Sequence, residues 1–135
     1  MGKITYEYLS MRDLHEAKLL LNGMCFSSAG RFAQQAMEKQ LKQYIETHGD
    51  SDDLPLLSIH NTTRLYDRVV ELGGLSMSRE TRKMMAVLKD YNYDINYPGD
   101  NCRELEEYEA AEAVEFAEAL ISQIKLEACN NGKHS

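Results

Sequence analysis

The chain has 135 residues, 43% of them apolar and 27% charged, and its fifteen basic against twenty-two acidic side chains leave a net charge of −7. That length and balance describe one ordinary folded domain rather than a disordered segment, and a pI near 5.1 argues against broad electrostatic attachment to nucleic acid, although a local basic stripe can survive on an acidic surface. No apolar run approaches the roughly 20 residues of a membrane span and charged residues from Arg12 to Lys18 break any apolar signal core, so the expectation is a cytoplasmic protein with no membrane contact.

The first helix is expected from about Thr5 to Asn22, where Tyr8, Met11, Leu14, Ala17, Leu20 and Leu21 recur at helical steps. Asn22-Gly23 should close it, because both residues tolerate left-handed backbone. Ser27 and Ser28 are N-cap candidates for the segment that organises the chain, SAGRFAQQAMEKQLKQYI, from Ser28 to Ile45. It lacks proline, and it lacks glycine after Gly30. Phe32, Ala33, Ala36, Met37, Leu41, Tyr44 and Ile45 gather on one face. The small residues Ala29, Gly30, Ala33 and Ala36 allow neighbours to approach closely, and Arg31, Gln35, Lys39 and Lys42 form a separate polar stripe. A helix this apolar on one side must be covered by others, so it reads as the centre of a bundle.

This central helix should end near His48-Gly49, and GDSDDLP, from Gly49 to Pro55, reads as a loop. A third helix follows from Ser58 or Asn61 to Leu72, seamed by Leu65, Val69 and Leu72 and closed by Gly73-Gly74. A fourth starts at the N-cap candidate Ser78 and runs to about Asp90. Met84, Met85 and Leu88 are its apolar residues, and Arg79, Arg82, Lys83 and Lys89 make it the most basic part of the chain. The stretch YNYDINYPGDN, Tyr91 to Asn101, reads as a second loop on its tyrosines, asparagines and Pro-Gly pair. The last helix is expected to open at Asn101, with Glu104 in a capping-box position, and to run through Val114, Leu120, Ile121 and Ile124 to about Ala128. Residues 131–135 should fray. No stretch sustains apolar alternation, so no strand is expected. The fold class is therefore all-α, a five-helix up-and-down antiparallel bundle forming one domain over residues 1–130.

Chemistry is less legible. Cys25, Cys102 and Cys129 are odd in number and far apart, which favours free thiols over disulfides or zinc. His15, His48, His60 and His134 form no metal-ligand pair, and no cofactor is implied. His60 stands beside Ser58 and Asn61 at a helix start, either as a local cap or as a switchable donor to a phosphate or base. Arg31, Gln35, Lys39 and Lys42 are either a solvated face or a bracket for a phosphate. Tyr91, Tyr93 and Tyr97 are loop anchors or stacking faces for a base. The glutamates from Glu104 to Glu109 suit a helix N-terminus. Five helices of this length also carry more apolar surface than two layers need, which points to pairing of two copies.

The central AGRFAQQAMEKQLKQYI resembles the signature helix of the HEPN family (higher eukaryotes and prokaryotes nucleotide-binding), whose aromatic, small, Gln, Glu-Lys and Leu-Lys positions correspond to Phe32, Ala33, Gln35, Ala36, Glu38, Lys39, Leu41 and Lys42. His60 ahead of Leu65, and Tyr97-Pro98-Gly99-Asp100 ahead of the last helix, match two further marks in order and spacing, and the likeness spans residues 5 to 128. The resemblance implies a helical homodimer and a nucleotide- or RNA-binding site at Arg31, Gln35, Lys39, Lys42, His60 and Tyr97. It also implies association with a nucleotidyltransferase, as in toxin–antitoxin pairs.

Ribonuclease members carry an Arg followed after four to six residues by a His. None of Arg12, Arg31, Arg64, Arg68, Arg79, Arg82 or Arg103 has that partner; the nearest is Arg103 with Tyr108. A phenol near pKa 10 is a poor group for moving the 2′-hydroxyl proton at neutral pH, and Asn96 stands where the family often has Arg before its Tyr-Pro loop. The expected function is thus non-catalytic nucleotide or RNA binding. The alternatives are a divergent ribonuclease using Arg103 and Tyr108, and a pure interaction module of the antitoxin or adaptor kind.

Overall fold

In a computed structural model that describes residues 3–96 and 104–132, the first helix begins on a side-chain cap. Thr5 Oγ1 accepts from the Tyr8 N–H at 3.0 Å and starts α1 (Tyr6–Asn22). The helix stops at Gly23, but the left-handed backbone falls on Met24 (φ 63°), not on Asn22-Gly23. The N–H groups of Gly23, Met24 and Cys25 return to the Leu19, Leu21 and Leu20 carbonyls. That closure satisfies carbonyls a helix end otherwise leaves open, and it places the reversal one residue past the cap.

α2 (Phe26–His48) begins ahead of the expected Ser28, with Cys25 at its N-cap and no side-chain cap bond. Ser27 therefore lies inside the first turn. Its hydroxyl donates to Glu104 at 2.6 Å and accepts the Leu105 N–H at 2.8 Å. Ser51 to Pro55 of GDSDDLP open a 3₁₀ helix (Ser51–Ser58) rather than a loop: Asp50 and Asp53 cap it reciprocally, and the tighter winding accommodates Pro55. α3 (Thr62–Glu71) is capped by Asn61, which accepts from the Arg64 N–H at 3.2 Å. α4 (Arg79–Asn96) is capped by Ser78, which accepts from the Thr81 N–H at 3.2 Å.

Two expectations about the C-terminal third are corrected. α4 continues through Tyr91 to Asn96, because no glycine or proline interrupts it. α5 (Glu107–Gly132) opens later than Asn101 and runs past Ala128. Its capping contact is the Glu106 N–H donating to Glu109 Oε1 at 3.0 Å, while Glu104 serves Ser27 instead. Among the described residues there are six helices, five α and one 3₁₀, and no strand. The chain is all-α, with one helix more than the five expected. None of these helices is long and apolar enough to cross a membrane.

α2 is the centre in the literal sense: it contacts α1, α3, α4, α5 and the 3₁₀ helix. Ala29, Ala33, Ala36, Met37, Leu41, Tyr44 and Ile45 are buried along it. Removing side chains of this size from water is the main stabilising contribution, about 25 cal/mol per Å2 of apolar area. The alanines let α1 come close enough for Ser10 Oγ to donate to the Ala36 carbonyl at 2.8 Å inside the interface. α3 adds Leu65, Tyr66 and Val69 to the core, α4 adds Met85 and Leu88, and α5 adds Ala113, Ala117, Ile121 and Ile124.

Candidate functional site

The polar stripe of α2 does not face solvent as a continuous surface. Lys39 pairs with the buried Asp13 of α1. Lys42 is only 5% exposed at its side chain and pairs with Glu38 at 3.2 Å. Each lysine is thereby held by a different carboxylate, and the two do not form an open bracket. Arg31 is half-buried, its guanidinium 5.4 Å from the centroid of the Phe32 ring, and its Nε is buried without a hydrogen-bond partner. Gln35 is half-buried on the same helix.

His60 joins this stripe from the far side of the 3₁₀ helix. Its Nδ1 lies 3.1 Å from Glu38 Oε2, while the ring is 83% exposed. Glu38 thus stands between Lys42 and His60, a carboxylate shared by an ammonium and an imidazole. Its contact at Nδ1 favours the tautomer with the proton there and leaves Nε2 outward as an acceptor. Tyr97 and Arg103 lie outside the described residues, and so does Cys102. Tyr108 is 65% exposed on the first turn of α5.

Exposed positive charge gathers on α4, with Arg64 of α3 also exposed. Arg79, Lys83 and Lys89 are exposed along α4 and make no ion pair among the described residues. Arg82 is anchored, its guanidinium donating to both Asp67 oxygens at 3.0 Å, which raises its pKa above the ordinary arginine value. Met77, Arg79, Arg82, Lys83 and Ala86 line an open depression of about 520 Å3.

Beside it, where the α3–α4 connection meets α5, a groove of about 370 Å3 has an apolar floor of Leu75, Phe116 and Leu120. Ser76, Ser78, Thr81 and Gln123 form its polar rim. The Tyr66 hydroxyl shapes one end, donating to the Ser76 carbonyl at 3.3 Å and accepting the Ser78 N–H at 2.9 Å. The sequence marks the α4 cations but not the groove, because the groove's walls come from segments about forty residues apart whose meeting no local pattern encodes. The Glu38–Lys42 pair was legible as an i, i+4 spacing; the Asp13–Lys39 pair was not.

No curated protein and no solved structure matches the chain. The sequence model of the HEPN domain matches residues 10–127. With that match covering most of the sequence, and with the helical architecture above, the chain belongs to the HEPN domain family.

Proposed function

We propose that this HEPN domain binds a nucleotide or RNA without cleaving it, in association with a nucleotidyltransferase partner. Membership in a family generally related to nucleotides and RNA supplies the ligand class. The observation that carries the reading is the distribution of cations. Lys39 and Lys42 are neutralised within the fold, whereas Arg79, Lys83 and Lys89 are exposed and make no ion pair among the described residues of an otherwise acidic protein. A local cluster of exposed cations on an acidic chain provides a place where an anionic ligand is attracted. His60, exposed and backed by Glu38, is the member of the α2 set best presented to a ligand. Arg31, Gln35, Lys39 and Lys42 then act mainly by fixing that helix, and Tyr97 belongs to the same proposed set by sequence position.

The missing Arg–His pair argues against chemistry, since the remaining candidate base is a phenol at Tyr108. Tyr8, Met11 and Leu19 stand exposed along α1, interleaved with the exposed Arg12 and His15, and offer a mixed face on which a second copy would pair. Light scattering at micromolar concentration should return twice the chain mass, and a monomeric mass would remove the dimer from this reading.

Titration calorimetry with nucleoside phosphates and short RNAs tests the ligand class. Heat that disappears in Arg79→Glu/Lys83→Glu supports it, and no heat with any of them at millimolar ligand rejects it. Incubation with total RNA should leave the RNA intact; cleavage abolished by Arg103→Ala would replace this reading with the ribonuclease alternative.

A further inference from the structure

The groove between the α3–α4 connection and α5 has a use that the cation face alone does not explain. The geometry points to this groove as the seat of one nucleobase with its sugar, the attached phosphate lying on the α4 side against Arg79 and Lys83. The inference rests on the nucleotide reading above and names where the ligand sits.

Size, lining and charge each bear on the occupant. About 370 Å3 lies near the lower end of the roughly 300–1,000 Å3 typical of small-molecule sites, which suits one nucleoside and no longer segment. Leu75 and Leu120 are buried beneath it and Phe116 is half-buried in its wall, an apolar surface for the faces of a heterocycle. The rim carries hydrogen-bonding groups at its edge only. Ser76, Ser78 and Thr81 supply hydroxyls, the complement of ribose, and the Gln123 amide, steadied by Glu127 at 3.3 Å, faces the base edge. An apolar peptide would leave this polar edge unmatched.

Electrostatics then fixes the direction. Along α5 the residues one turn before Phe116 and Ala119 are the exposed acids Glu112 and Glu115, which repel a phosphate. On the opposite wall, Ser78 lines the groove and its neighbour Arg79 lines the adjoining basic depression with Lys83. Neither cation makes an ion pair among the described residues, so a phosphate leaving the groove meets two exposed positive charges. Arg82, which also lines the depression, is held by Asp67.

The test is titration of the whole chain with a nucleoside 5′-monophosphate, and with ribose 5-phosphate as the same anion lacking a base. Ala119 and Gln123 are exposed on the α5 wall, so Ala119→Trp and, independently, Gln123→Trp fill the groove without entering the core. Each filled variant should weaken the monophosphate at least about tenfold, the loss expected when one base loses its stacking surface, while its thermal melt stays that of the parent. The parent should bind ribose 5-phosphate no better than the filled variants bind the monophosphate. Unchanged monophosphate affinity in both filled variants, with affinity lost in Arg79→Glu/Lys83→Glu, would overturn the groove and leave the cation face standing. Absence of binding to any nucleotide or RNA would remove both.

Discussion

Met24 holds φ 63° and is 73% exposed, so it carries the cost of a left-handed backbone and returns little packing. For a residue with a Cβ that conformation costs roughly 1–2 kcal/mol. Met24→Gly is therefore expected to stabilise the fold by about 1 kcal/mol, part of the gain being offset by the freer unfolded chain, and urea unfolding measures it. Gly74 is the opposite case. A Cβ there would meet the Tyr44 ring at 2.6 Å and Val69 Cγ1 at 2.7 Å, both in the core. Gly74→Ala should cost about 1–3 kcal/mol, as overpacking does, and an unchanged unfolding midpoint would show that the ring can move aside. The sequence marks Gly73-Gly74 as a stop, and Gly73 does take positive φ (87°). It does not reveal that the second glycine is required for space rather than for backbone freedom.

Among elements, the 3₁₀ helix shows how an apparent loop acquires structure. Its Asp53 is buried, accepts from Arg68 Nε at 2.8 Å and Nη2 at 3.0 Å, and also takes the Asp50 N–H at 3.0 Å. The Arg68 guanidinium first, then the backbone donor, hold the Asp53 carboxyl below its ordinary value of 3.8. A carboxyl whose pKa is lower in the folded state binds its proton more readily when unfolded. Its stabilising contribution is thus complete above the ordinary value and is lost as pH falls through the lowered one. Arg68→Met should reduce the melting temperature at neutral pH and flatten its decline below about pH 4; equal melting curves for variant and parent at neutral pH would deny the clamp any role. The same element scale explains the displaced boundaries of α4 and α5. Tyrosine and asparagine are weak signals either way, so α4 runs on until something stops it. The glutamates from Glu104 to Glu109 offer several equivalent capping registers, and the contact between Ser27 and Glu104, 77 residues apart, selects among them. A helical period is written locally; a boundary settled by a distant partner is not.

For the whole molecule, the central helix was legible because its burial pattern repeats along one segment, and the site was less so because ion pairing decides which cations stay free. Asp13, 26 residues before Lys39, turns a basic stripe into an internal strut. Exposed along α4 are Arg79, Lys83 and Lys89, on a chain of charge −7, and these set how binding on that helix should respond to salt. Single-stranded nucleic acid releases about 0.7 counterion for each phosphate neutralised, so three contacts predict a slope of about −2 for log K against log salt. The net negative charge lowers affinity at every salt concentration but adds no contact to that slope. Fluorescence anisotropy with a short labelled RNA between low and physiological salt measures it. Lys83→Glu should bring the slope nearer zero by about 0.7 as well as weakening binding, because one contact is gone. A slope unaltered by that substitution would place the RNA off α4, and a slope several times steeper would require a larger cationic surface than this face supplies.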